Sequence, residues 1–143
     1  MLEGRFEGKV FVWPVRIYYE DTDLSTIVYH ANYLRYMERA RTEYFRAVGI
    51  KASYLDHTEP SAWALRKVEI EYLKPAQMDD IIEVRTTARD LTGVRLSADQ
   101  CIYRGDTLLT RGAVEACIIS LSGRPRRIPQ EIRDKLLPFL CET

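Results

Sequence analysis

Tyr18-Tyr19-Glu20-Asp21-Thr22-Asp23-Leu24-Ser25-Thr26-Ile27-Val28-Tyr29-His30 carries the chain from an alternating apolar run, through three acids, into a helical run. Upstream, Phe11, Trp13, Val15, Ile17 and Tyr19 occupy alternate positions, the period of a half-buried strand, and the same phase continued reaches Asp21 and Asp23. A carboxylate in phase with a buried face is not an ordinary solvated acid. Downstream, Tyr33, Met37, Ala40, Tyr44, Ala47 and Val48 recur at helical spacing, which predicts a long helix from Asn32 to Val48 ending at Gly49. The first turn of such a helix presents unpaired N–H groups and the positive end of its dipole, a place where a polarised carbonyl oxygen is stabilised. A plain alternative stands beside this chemistry: Asp23 starts a turn and Asp21 sits in solvent, as acids between a strand and a helix commonly do.

The order of elements beyond Gly49 decides the fold class. A polar segment from Lys51 to Pro60 leaves room for one loose helical turn. Ala62 to Tyr72 then reads as a strand with Ala64, Val68, Ile70 and Tyr72 on the buried face and Lys67, Glu69 and Glu71 on the other. Ile81 to Leu91, Val94 to Ile102 and Leu108 to Leu121 read as three more strands joined by short turns, which favour antiparallel neighbours. Pro129 opens a short final helix carrying Ile132, Leu136, Leu137 and Leu140. One strand, one long helix and four strands predict an α+β domain over residues 1–143: an antiparallel five-stranded sheet curled around the helix.

Composition narrows the function. Twenty-one Lys and Arg balance twenty-one Asp and Glu, which removes the electrostatic footprint of a nucleic-acid binder. Three cysteines without paired close spacing suit a reducing compartment, and two histidines far apart make no zinc-site spacing, so no metal is expected. No run has the length of a signal-peptide core or a membrane span, which predicts a soluble, cytoplasmic protein.

Val15-Arg16-Ile17-Tyr18-Tyr19-Glu20-Asp21-Thr22-Asp23, Ile27-Val28-Tyr29-His30-Ala31-Asn32-Tyr33 and Glu38-Arg39-Ala40-Arg41-Thr42-Glu43 resemble the hotdog-fold acyl-CoA thioesterases of the 4-hydroxybenzoyl-CoA type, in the bacterial branch associated with the Tol-Pal system. Weaker pieces, Tyr72-Leu73-Lys74-Pro75-Ala76, Asp79-Asp80 and Arg124-Pro125-Arg126-Arg127-Ile128-Pro129, extend the likeness over nearly the whole chain.

The resemblance implies hydrolysis of an acyl-CoA thioester without a cofactor. It places the catalytic carboxylate on Asp23, as general base or nucleophile, and the oxyanion-binding amide at His30. The His30 ring can instead orient Asp23 or a water, or only bond a neighbour. Asp21 reads as a structural acceptor and Asn32 as a helix cap. Tyr29, Thr26 and Arg126 are the candidate substrate-binding residues; Arg126, with Arg124 and Arg127, either meets the coenzyme A phosphates or forms a solvated basic segment.

Thr26 departs from the glycine usual in the branch, and a loop that needs φ > 0 there meets a β-branched residue. The resemblance further implies homodimers with active sites at the subunit interface, paired into tetramers, with an acyl carrier protein as another possible donor. The rival readings are a non-catalytic acyl-CoA or acyl-carrier binding scaffold linked to the cell envelope and, less well supported by the histidine's position, a hotdog dehydratase.

Overall fold

The computed structural model of the protein describes residues 2–23, 26–50 and 61–141. Its elements are β1 (Arg5–Glu7), β2 (Val10–Arg16), α1 (His30–Ala47), β3 (Ser61–Tyr72), β4 (Ile81–Leu91), β5 (Arg95–Arg104), β6 (Thr107–Ser120), β7 (Pro125–Arg126) and α2 (Gln130–Leu136). The five long strands lie in the order β2-β4-β5-β6-β3; short β1 extends the β2 edge and β7 pairs with the end of β6, making seven strands in one antiparallel sheet. The expected five-stranded hotdog sheet is therefore present, with two short additions. The loose turn expected over 51–60 lies outside the described residues.

Helix α1 starts at His30, two residues before the start read from the sequence, and ends as Gly49 takes φ +88°, a left-handed conformation that glycine adopts without a Cβ clash. Tyr33, Tyr36, Met37, Ala40, Tyr44 and Phe45 are its buried face; Ala47, expected there, is exposed. Met37 and Ala40 sit on Ile82, Val84, Ala98, Ile102 and Leu109 from the sheet. At the other end Phe45 and Tyr44 join Ile118, Ile132 and Leu136, so α2 closes the core there. Gln100, fully buried on β5, bolts helix to sheet: its Nε2 donates to Met37 O at 2.9 Å and to Thr86 Oγ1 at 3.0 Å, and its Oε1 accepts from Arg41 at 2.8 Å.

Two expectations about phase fail for identifiable reasons. The first strand stops at Arg16, because Ile17 exchanges hydrogen bonds with Asp79 and Asp80 and the Tyr18 N–H then donates to the Asp21 carboxylate at 2.8 Å, closing a 3₁₀ turn over Tyr19–Asp21. Tyr19 is left 79% exposed, and neither Asp21 nor Asp23 continues a buried face. In β3, a register shift between Leu65 and Lys67 breaks the alternation, and the strand lies at the sheet edge opposite β1 and β2. Val68 and Tyr72, expected on the buried face, are accordingly exposed.

Candidate active site

Main-chain groups of Asp21 and Asp23 fix the acidic stretch against the start of α1. Thr22 bridges Val28, Asp23 N–H donates to Ile27 O at 3.0 Å and Thr26 N–H to Asp23 O at 3.1 Å, which pairs 22–23 with 26–28 as the two arms of a hairpin. Asp21 O accepts the Tyr29 N–H at 3.0 Å and the Asn32 side-chain amide at 2.9 Å, tying the acidic turn to the first turn of α1. Asn32 is thus a clamp from inside the helix; the residue preceding the helix is Tyr29. The opposite flank is held by 76–78: Val28 N–H donates to Ala76 O at 2.9 Å, Met78 N–H to Thr26 O at 3.4 Å, and Ile27 bridges Gln77. That segment is itself fixed by Tyr33, whose hydroxyl accepts the Ala76 N–H at 2.9 Å, and by Arg104, which donates to Pro75 O at 3.2 Å and to Asp80 at 2.8 Å.

On this frame Asp23 is exposed at the hairpin, and His30 stands at the first position of α1. Helix geometry leaves the N–H groups of His30 and Ala31 without intrahelical acceptors. Tyr29 and Tyr72 rings flank the His30 ring, with centroids 4.6 and 6.2 Å away, and the Tyr72 hydroxyl donates to His30 O at 3.1 Å. Tyr36 lies buried beneath; burial first and the Asp21 charge second hold its phenol above the usual tyrosine range. Asp23, Thr26, Tyr29 and His30 therefore share one hairpin and helix start. Arg126 does not join them: it sits on β7 and donates to Ser61 Oγ at 3.0 Å. Ser61 and Tyr72 are the two ends of β3, separated by roughly 35 Å at strand rise.

Tyr72, Tyr33, Ala76, Asp80 and Arg104 are site-supporting residues that the sequence reading did not single out. Their signal was faint. Tyr72 looked like one more apolar member of an alternating strand, and Pro75-Ala76 like an ordinary connection.

Thr26 has φ +69°, the conformation for which a glycine would be suited. The loop keeps its shape with a threonine, because backbone bonds from both flanks over-determine it. A left-handed L-residue costs about 1–2 kcal/mol, partly offset by the greater freedom that glycine loses on folding. Thr26→Gly is expected to raise the melting temperature by about 2–3 °C, for a net gain of about 1 kcal/mol, with no loss of site geometry; differential scanning calorimetry measures it, and a lower melting temperature would show that the threonine is unstrained.

A cleft of about 550 Å³ opens between α1 and β3, lined from Leu34 to Phe45 on the helix and from Trp63 to Val68 on the strand. No group of three or more His, Cys, Asp or Glu among the described residues is placed to hold a metal, and no helix among them is long and apolar enough to cross a membrane.

Comparison with known proteins adds identity to this geometry. The family described as the Thioesterase-like superfamily matches residues 18–136. Acyl-CoA thioester hydrolase YbgC of Escherichia coli O157:H7 is 40% identical over 125 residues, covering 86% of this chain and 92% of that protein. Acyl-CoA thioesterase YbgC of Haemophilus influenzae is 34% identical over 124 residues, 86% of this chain and 91% of the relative. Among solved structures, the "Probable Thioesterase from Bartonella henselae" aligns with TM-score 0.79 at 36% identity, covering 82% of this chain and 98% of that one. Slr0204, a 1,4-dihydroxy-2-naphthoyl-CoA thioesterase from Synechocystis, aligns with TM-score 0.81 over 90% of this chain and 96% of its own, and at 21% identity it speaks to the fold alone. The acid-bearing hairpin, the long helix it leads into and the antiparallel sheet behind them are those of a hotdog thioesterase, and the chain belongs to the thioesterase-like superfamily.

Proposed function

We propose that the protein hydrolyses acyl-CoA thioesters to a free acid and coenzyme A, with Asp23 supplying the carboxylate and the helix-start amide at His30 receiving the developing oxyanion. The observation that carries this reading is the clamp of the acidic hairpin onto the first turn of α1 through Asp21 O, which holds a carboxylate and unpaired N–H groups on one short stretch of chain. As a base, Asp23 takes a proton from water while the hydroxide adds to the carbonyl carbon; the C–S bond then breaks and the thiolate leaves. As a nucleophile, it forms a mixed anhydride with loss of the thiolate, and water cleaves the anhydride. Either route needs the oxyanion donor, worth about 10²–10³ in rate. Tyr29 and Thr26 border the place where the thioester would lie.

Across the β3 edge, where Leu65, Val68 and Tyr72 are exposed, a second copy would pair strand to strand. An antiparallel β3–β3 contact about a two-fold sets the Ser61 end beside the partner's Tyr72 end. That arrangement is how Arg126, remote within one chain, would reach a coenzyme A phosphate.

Thiol release from a panel of short, long and aromatic acyl-CoAs tests the function. Turnover of at least one class is expected; tight binding of all with turnover of none would favour a non-catalytic acyl-CoA scaffold instead.

A further inference from the structure

The cleft between α1 and β3 begins at Leu34, about one helical turn beyond His30, and has a chemically distinctive far end. His30, Leu34, Arg41 and Phe45 fall within about 60° of one another on the helix surface, so the line that begins at the helix start runs along the cleft. Strand β3 follows it from the Tyr72–His30 contact at one end to Trp63, whose ring stacks on Phe45 at 4.8 Å and 11°, at the other. Leu34, Leu65 and Val68 make the middle apolar.

The far end holds two donors that want an acceptor. Arg41 lines the cleft, yet no carboxylate oxygen among the described residues lies within 4 Å of its guanidinium; its hydrogen-bond partner is the neutral amide oxygen of Gln100. A guanidinium carries five N–H donors, and a neutral partner does little to offset the loss of water around the charge. Burial pulls the Arg41 pKa below the usual arginine value, the same desolvation seen from another side. Trp63 also lines the cleft, and its indole N–H is buried with no hydrogen-bond partner among the described residues. Glu38 lines the same cleft, but Arg35 and Arg41 outweigh it.

We propose that this cleft takes the acyl part of the substrate and that Arg41, assisted by the Trp63 N–H, receives a carboxylate at the distal end of the acyl chain, making Arg41 a specificity-determining residue for ω-carboxyacyl thioesters. The proposal rests on the reading of the chain as an acyl-CoA thioester hydrolase. Arg41 lies eleven residues beyond His30, about 16 Å along the axis. Because helical side chains lean back towards the N-terminus, a chain of roughly eight carbons suits the interval.

The test is equilibrium binding of two non-hydrolysable thioethers, S-octyl-CoA and S-(7-carboxyheptyl)-CoA, to the full-length wild type, Arg41→Met, Arg41→Lys and Trp63→Phe, beside hydrolysis of octanoyl-CoA and its ω-carboxy counterpart. The wild type is expected to favour the carboxylated ligand about tenfold or more, the scale of one lost charged hydrogen bond. Arg41→Met should erase or invert that ratio, Arg41→Lys should retain part of it, and Trp63→Phe should reduce it with the charge intact. The same ratio in wild type and Arg41→Met, or a wild type that favours the octyl ligand, overturns the proposal. If Arg41→Met does not fold, Arg41→Lys and Trp63→Phe decide by the same ratio. A binding preference without turnover of either thioester would sink the hydrolase reading and leave this one standing; turnover without the preference would do the reverse.

Discussion

Asp23→Asn is expected to lower thiol release by about 10³-fold or more, the loss typical when a nucleophile or essential base is replaced by an isostere that can do neither job. The substitution leaves shape and hydrogen-bonding capacity nearly intact. It removes the negative charge that accepts a proton from water or attacks the carbonyl carbon. Asp23 is exposed, and two bonds of its hairpin, Asp23 N–H to Ile27 O and Thr26 N–H to Asp23 O, run through backbone atoms that the mutation does not touch. Folding and oligomeric state should therefore match the wild type, and the affinity for a non-hydrolysable acyl-CoA analogue should stay within about threefold, since uniform binding is not what the carboxylate supplies. Parallel kinetics and analogue binding separate the outcomes. A variant that keeps most of its rate would move the chemistry to another acid, with half-buried Asp21 the nearest by sequence and Glu20 the nearest exposed one.

The largest stability effect is expected at Gly112, in the middle of β6. A Cβ there would stand 2.6 Å from the Gln100 carbonyl oxygen and 2.9 Å from Met37 Cε. The first is backbone and cannot swing aside. The second belongs to a fully buried side chain whose own carbonyl is bonded to Gln100 Nε2. The glycine is therefore what lets α1 settle on β5 and β6, and adding one methyl group forces a strand or the helix to shift. Gly112→Ala is expected to cost about 3 kcal/mol, close to 10 °C in melting temperature. Calorimetry on the purified variant is the check. A melting temperature within about 2 °C of wild type would mean that helix and sheet are less closely packed than these contacts require. Shortening Met37 in the same background should restore only part of the loss, because the clash with Gln100 O remains.

The long helix and the five long strands were legible because each is held by an apolar period, and Gly49 marks the helix end by the one residue type that tolerates its φ. Phase was less legible than existence. Nothing in Leu65-Arg66-Lys67 announces the register shift that breaks the alternation of β3, and no local pattern says that β3 becomes the sheet edge opposite β2. The acids were read as continuing the first strand because alternation alone cannot see the Asp21 side chain capping Tyr18 and ending it. The candidate site reads as a stretch, since Asp23, Thr26, Tyr29 and His30 are close along the chain. Its supports at Tyr72, Ala76 and Arg104 come from distant segments and are brought in by strand pairing, which short-range spacing does not encode.

The hairpin bearing Asp23 is fastened on both flanks almost wholly by main-chain bonds, to Ala76 and Met78 on one side and through Tyr29 to Asp21 on the other. Side chains at Ile27, Gln77 and Met78 are consequently released from any duty in placing the acid. Such an attachment separates heritable variation in what surrounds the reactive group from variation in where it stands. Substitutions at those positions can accumulate in the lineage without shifting where the carboxylate stands.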